Sequence, residues 1–378
     1  MPVLNDFRLE TYFSRWEFTA RYHLTASDAQ SMSLRELLSM ASPADAAAFD
    51  SLWLGYTETF GAPELRRAIA ATYSDQTAEN ILCFAGAEEG IYAAMHALLD
   101  RQDHAIVVTP NYQAAETIPL SICEVSGVAL DAERGWELDL DRVARAIRPN
   151  TRMISINFPH NPTGKILEPE RLRALVELCR KHGLWLFSDE VYRSLGLVPE
   201  RQLPQVADIY ERGLSLNVMS KAYGLPGLRI GWIATRERAV LVRMERLKHY
   251  LSICNSAPSE LLARIALQNR ERILARNNAL LAENVGLLET FFAEFPYLFQ
   301  WYRPDGGCVA YPRYLGPGSV DTFAAELVER AGVLLLPAGI YRSELGPTPT
   351  DRFRIGYGRA GLAAGLDAFR AYLHQVAL

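Results

Sequence analysis

The chain has no pair of cysteines or histidines spaced to hold a metal. Its five cysteines (Cys83, Cys123, Cys179, Cys254, Cys308) stand singly with no CxxC, and its seven histidines form neither HExxH nor HxH. Those gaps argue against a zinc ribbon, a zinc hydrolase and a disulfide framework, and the odd cysteine count points to reduced, buried thiols in a cytoplasmic protein. No apolar run reaches the ~18 residues of a membrane span. The opening segment MPVLNDFRLETYFSRWEF carries acids and aromatics where a signal peptide has an apolar stretch. Positive charge is also short. Thirty-nine Lys and Arg against 44 Asp and Glu leave a net charge of −5, which lacks the footprint of a nucleic-acid binder. Repeats, low-complexity tracts and long charge runs are missing too. What remains is 378 residues, 49% hydrophobic and 22% charged, an ordinary globular composition. At ~150 residues per domain, that length suggests two to three domains.

The first 45 residues read as irregular apart from a short helical pattern, SLRELLSM (33–40). From about residue 50 the chain alternates between helical and strand patterns. Helices are expected at 63–74, 87–100, 140–147 and 169–183, and strands at 80–86, 104–110, 152–159, 184–190, 214–220 and 229–235. The strands are almost continuously apolar, as in a parallel sheet covered on both faces, so an α/β fold is expected. A long helix is expected from about 258 to 293, followed by shorter elements at 306–313, 320–332 and 351–359.

In a wound α/β sheet, ligands collect at the carboxyl ends of the strands. Those ends deliver Gly86-Ala87-Glu88 at a helix start, Tyr112, HNPTG with Asn161, then Asp189 with Tyr192, and finally Ser220-Lys221. An isolated lysine is usually solvated and an isolated aspartate often caps a helix. Here Lys221 lies between an apolar strand and a Gly/Pro-rich turn, where an ammonium can lose its proton and form an imine. Asp189 follows LWLF, and a desolvated carboxylate there needs a cationic partner. Arg229, eight residues beyond Lys221, could be a surface residue, or could close an anion site with the helix start at Gly86.

HNPTG (160–164), SDEVY (188–192), SKAYGLPGLRIG (220–231), GYTETFGAPELR (55–66), TPNY (109–112) and FRIGYGR (353–359) resemble the signature blocks of the class I/II, fold-type I pyridoxal-phosphate aminotransferases. The blocks keep family order from about residue 50 to 360. The resemblance implies a large domain with a mostly parallel seven-stranded sheet sandwiched by helices (45–265) and a smaller α/β domain built from 1–44 and 266–378. It implies pyridoxal 5′-phosphate as cofactor, amino acid and 2-oxo acid as substrates, and a homodimer with shared sites. By the same resemblance Lys221 bonds the cofactor and moves the proton between the substrate Cα and the cofactor C4′, while Asp189 keeps the pyridine nitrogen protonated. Tyr192 and Asn161 bond the ring O3′, and Tyr112 stacks on the ring. Gly86, Ala87, Glu88, Ser220 and Arg229 surround the phosphate, joined by Tyr56 of the neighbouring subunit. Arg354, with Asn161, takes the substrate α-carboxylate. Arg352 and Arg354 fall on one face of a strand by alternation, so periodicity does not choose between them. The family block favours Arg354, leaving Arg352 and Arg359 as structural residues.

The sequence departs from the pattern in places. Val218 stands where a phosphate-binding serine is common, Glu88 puts an acid beside the phosphate, and HLTASDAQS (23–31) replaces a glycine-containing arm block. Side-chain specificity is expected in that arm, in the loop 190–205 and in the partner subunit. The arm around Ser27 and SICNSAPSE (252–260) bear a weaker similarity to capreomycidine synthase-like enzymes, so elimination or cyclisation is the alternative to amino transfer. A non-catalytic regulator that binds the same cofactor is a remote third. It would need a basic winged-helix module, for which the ~50 residues before the first block leave no room.

Overall fold

Short apolar segments assemble into one seven-stranded sheet. The structure, a computed structural model, describes residues 4–196 and 201–376. Residues 197–200 of the expected specificity loop lie outside that description. From edge to edge the strands are Ile81–Phe84, Gly231–Ala234, Gly213–Val218, Trp185–Asp189, Thr151–Asn157, His104–Thr109 and Glu124–Ala129. All run parallel except Gly231–Ala234, which is antiparallel to both neighbours.

Alternate residues feed opposite faces. Trp185 and Phe187 pack into one core and Leu186 into another, and Met153 and Ile154 divide in the same way. The helix Ala87–Leu98 supplies Ile91, Ala94 and Met95 to the first core, and Pro169–His182 supplies Leu172, Leu175 and Val176 to the second. Helices therefore cover both faces, which is the mostly parallel α/β architecture the sequence implies. Glu124–Ala129 was not legible as a strand. It lies at the sheet edge with only Val128 fully buried, so its composition is mixed.

Where one helix is expected from about 258 to 293, there are two, Ala257–Gln268 and Arg270–Glu294. Asn269 leaves the helical region at φ −107°, and its Nδ2 donates back to the Ile265 carbonyl at 2.9 Å. A side chain that bonds its own backbone competes with helix continuation. Beyond it, Phe291, Phe299, Phe323 and Phe369 form an aromatic cluster with Phe353. Phe353–Gly356 is the middle strand of a three-stranded sheet, between Val309–Ala310 and Leu336–Pro337.

The first 45 residues are more regular than expected. They contain the helix Arg8–Trp16 and the start of the helix Pro43–Asp50, and Tyr22–His23 pairs parallel with Val333–Leu334. The arm helix is amphipathic, with Leu9, Tyr12, Phe13 and Trp16 at helical spacing. It is held from below, since the Arg8 N–H donates to Gln113 Oε1 at 3.0 Å and the Tyr12 hydroxyl to the Leu335 carbonyl at 3.2 Å. The thiols also differ from expectation. Cys83, Cys179 and Cys308 are buried, but Cys123 and Cys254 are only half-buried. Among the described residues no helix is long and apolar enough to cross a membrane.

Candidate active site

Six parallel strands end at the same edge, and the turns that follow five of them meet there. The lone antiparallel strand begins at that edge, so the residues just before it, Arg229 and Ile230, arrive beside the others. A cavity of about 310 Å³ results, lined by Ala87, Glu88, Tyr112, Asn161, Asp189, Tyr192, Ser220, Lys221, Arg229 and Arg354. The polar ends of elements far apart in sequence thus share one small volume.

Two positions form an anion cradle. Gly86 has φ +100° and precedes the helix Ala87–Leu98, whose first N–H groups receive no side-chain cap. A Cβ on Gly86 would collide with the Arg229 guanidinium. Free helix N–H groups beside an arginine suit a phosphate. Val218 lines the cavity without offering a donor, leaving the buried Ser220 as the nearby hydroxyl. Glu88 presents more than its N–H. Its carboxyl lies by the Tyr112 hydroxyl, and burial pushes its pKa up to about 7, so it is readily protonated and does not repel an anion strongly.

The opposite wall carries the base and the acid. Lys221 Nζ donates to Ser27 Oγ at 2.9 Å and sits 5.9 Å from the Tyr192 ring centre. Burial lowers its pKa below that of a free lysine. The Asp189 carboxyl is pushed up to about 6 by burial, against the pull of the Val191 N–H and of Lys221. A carboxylate with only one backbone donor, at 3.2 Å, suits a protonated ring nitrogen. These groups fit pyridoxal phosphate at both of its charged ends.

Arg354 is fully buried. Its Nη2 donates to the Thr25 carbonyl at 2.7 Å and its Nη1 to Asn161 Oδ1 at 3.1 Å, while Nε has no partner. The Asn161 N–H in turn donates to Asn157 Oδ1 at 2.8 Å. Arg352 goes elsewhere. It precedes the strand, opposite Arg313, with its guanidinium 4.8 Å from the Trp136 ring and 5.0 Å from Tyr302. Arg359 lines the cavity and grips Asp28 through two bonds of 3.0 and 2.8 Å.

Tyr56 is the site residue the structure does not bring in. It is 92% exposed and borders a separate depression with Leu54, Cys254 and Asn255. Sequence reasoning in turn missed Asp28, Asn157, and Glu10, Phe13 and Glu17 of the arm, all of which line the cavity. The amphipathic spacing of the arm helix was the available signal. Nothing local announced the Ser27–Lys221 contact, which spans 194 residues.

Comparison with known proteins places the chain in a family. The family profile for aminotransferase class I and II matches residues 28–368. The chain is 32% identical over 350 residues to arginine–pyruvate transaminase of Pseudomonas aeruginosa, covering 88% of this chain and 84% of that one. It is 27% identical to capreomycidine synthase of Streptomyces vinaceus, over 95% and 92% of the two chains. A solved PLP-dependent aminotransferase from Streptococcus suis 89-1591 superposes with a TM-score of 0.91 at 29% identity, covering 98% of each chain.

Proposed function

The chain belongs to the class I and II aminotransferases, enzymes that use pyridoxal 5′-phosphate to move an amino group from an amino acid to a 2-oxo acid, and we propose that its side chains divide that work as follows. When bound, the cofactor supplies a ring that accepts the electron pair left at the substrate Cα. Lys221 attaches the cofactor and carries the Cα proton on its Nζ, helped by a pKa below that of a free lysine. Asp189 holds a proton at the ring nitrogen. Tyr192 and Asn161 position the ring oxygen, and Tyr112 covers the ring face. The N–H groups of Ala87 and Glu88, with Ser220 and Arg229, hold the phosphate, and Gly86 leaves them room. Arg354 fixes the donor carboxylate, with Asn161 behind it.

The observation that carries this reading is the convergence of Lys221, Asp189, Arg229 and Arg354 on one cavity. Purified protein should show a visible cofactor band, and an amino donor without acceptor should convert it to the amine form. Lys221→Ala should abolish both, and a Lys221→Ala protein that keeps donor-dependent conversion would refute the assignment.

Tyr56 would serve the partner's site in a homodimer. Supporting this, Trp53, Tyr56 and Tyr250 are 87%, 92% and 91% exposed, unusual for large aromatics left in water. Residues 45–265 would form the cofactor domain, with 1–44 and 266–378 forming the smaller one. A cytoplasmic location fits the free cysteines. The likeness to capreomycidine synthase favours a second reading, elimination with ring closure, that uses the same lysine. Product mass after incubation with an amino-acid panel separates the two.

A further inference from the structure

The cavity holds more negative charge than amino transfer requires. Under the reading above, Arg229 is matched by a phosphate and Arg354 by the donor carboxylate. Arg359 is already matched by Asp28, in the paired contact on the arm side. Two carboxylates on that side then remain without a counter-charge. They belong to Glu10 and Glu17, which line the cavity together with Leu9 and Phe13. They stand seven positions apart, Glu10 in the helix Arg8–Trp16 and Glu17 capping its end, two turns and about 10 Å along one face. Neither side chain has a hydrogen bond or ion pair among the described residues. Arg15, the nearest cation on the same helix, turns outward to Glu329. Glu17 faces Arg359, Asp28 and Lys221, and burial raises its pKa, the mark of a carboxylate partly stripped of water.

A second and independent feature points to a ligand in the same space. Arg354 is fully buried at the cavity wall, its Nε is unpartnered, and only two of its five N–H donors are committed within the chain. A donor held there by its α-carboxylate, with its amine toward Lys221, has the arm wall left for its side chain. That wall offers Leu9 and Phe13 to an aliphatic stem and two carboxylates to its tip. Of the cations facing it, Arg359 is neutralised by Asp28 and Lys221 is the amine-handling base. His23 also lines the wall, and burial favours its neutral form, which does not repel a cation. A side-chain carboxylate would find no partner there.

We propose that Glu17, supported by Glu10, selects amino donors whose side chain ends in a cation, an ammonium or guanidinium on an aliphatic stem. The proposal rests on the aminotransferase reading, and its test is built so that the two can fail separately. Calorimetric titration of the holoenzyme with 5-guanidinopentanoate and with hexanoate reads the subsite alone, because neither ligand has an α-amine to react. The guanidino acid should bind at least about tenfold more tightly. That advantage should shrink about tenfold in Glu17→Gln and about threefold in Glu10→Gln, whose side chain is the more exposed. Both residues lie at the cavity rim, so these variants are expected to fold. Equal binding of the two acids, or an advantage that survives the double substitution, overturns the proposal.

A donor panel read by cofactor absorbance supplies the second arm. Arginine and lysine should exceed norleucine in kcat/KM, and Glu17→Lys should reverse the order between lysine and glutamate. If neutral or acidic donors lead in the unaltered enzyme, the proposal is wrong while the aminotransferase reading stands. If no donor converts the cofactor, that reading falls and takes the proposed donor selectivity with it.

Discussion

Replacing Arg354 by lysine keeps the charge and removes the fork. The guanidinium spends two N–H groups on the Thr25 carbonyl and Asn161 Oδ1, which fixes its plane at the cavity wall. A lysine ammonium reaching the same place must abandon one of those carbonyl partners or meet the donor carboxylate through a single bond. A hydrogen bond to a charged group contributes about 2–3 kcal/mol, so kcat/KM for any amino acid donor should fall roughly 30- to 150-fold. The half-reaction without acceptor, followed by cofactor absorbance, isolates this step. A simple alkylamine, which has no carboxylate, should react equally with both enzymes. Arg352→Lys is the control. It sacrifices stacking between Trp136 and Tyr302, so it should lower the melting temperature and leave kcat/KM unchanged. The reasoning is refuted if Arg354→Lys stays within about threefold on amino acids, or if it slows amines and amino acids alike.

Gly86→Ala places a Cβ at φ +100° and against the Arg229 guanidinium, so the cofactor dissociation constant, measured by dialysis, should rise at least about tenfold. An unchanged constant would remove Gly86 from the anion cradle. Glu88 titrates near 7 in the folded chain against 4.5 for a free glutamate, because burial disfavours its charge. The folded state therefore holds the proton longer, and apoprotein stability should decline as pH rises from about 4.5 to about 7. Urea midpoints across that window should flatten in Glu88→Gln, and an identical slope in both proteins would count against the buried carboxyl.

Most of the sheet was legible because its strands are buried on both faces, which leaves runs such as ILCF and HAIVVT with almost no polar interruption. Glu124–Ala129 lacks one buried face and so lacks the run. The site residues on strand ends were legible for a related reason, since an acid or lysine directly after such a run must face an edge. The arm was harder. Its helix docks through four apolar residues set among charges, and its contacts with Gln113, Lys221 and Leu335 cross the length of the chain. Arg352 and Arg354 could not be separated by alternation because Arg352 lies just outside the strand, where aromatic stacking rather than pleat decides its direction.

The pairing of Tyr22 with Val333 has a consequence for how the protein is made. At about 5–20 residues per second, a ribosome needs roughly 15–60 s to add the intervening stretch. Throughout that time Asp28 and the carbonyl of Thr25 lack their C-terminal partners, because Arg354 and Arg359 do not yet exist. A segment made before the strands it joins is thus seated after them. Until then the arm helix can use its contacts with Tyr112 and Gln113 but not the one with Leu335, so its apolar stripe is only partly covered while translation proceeds.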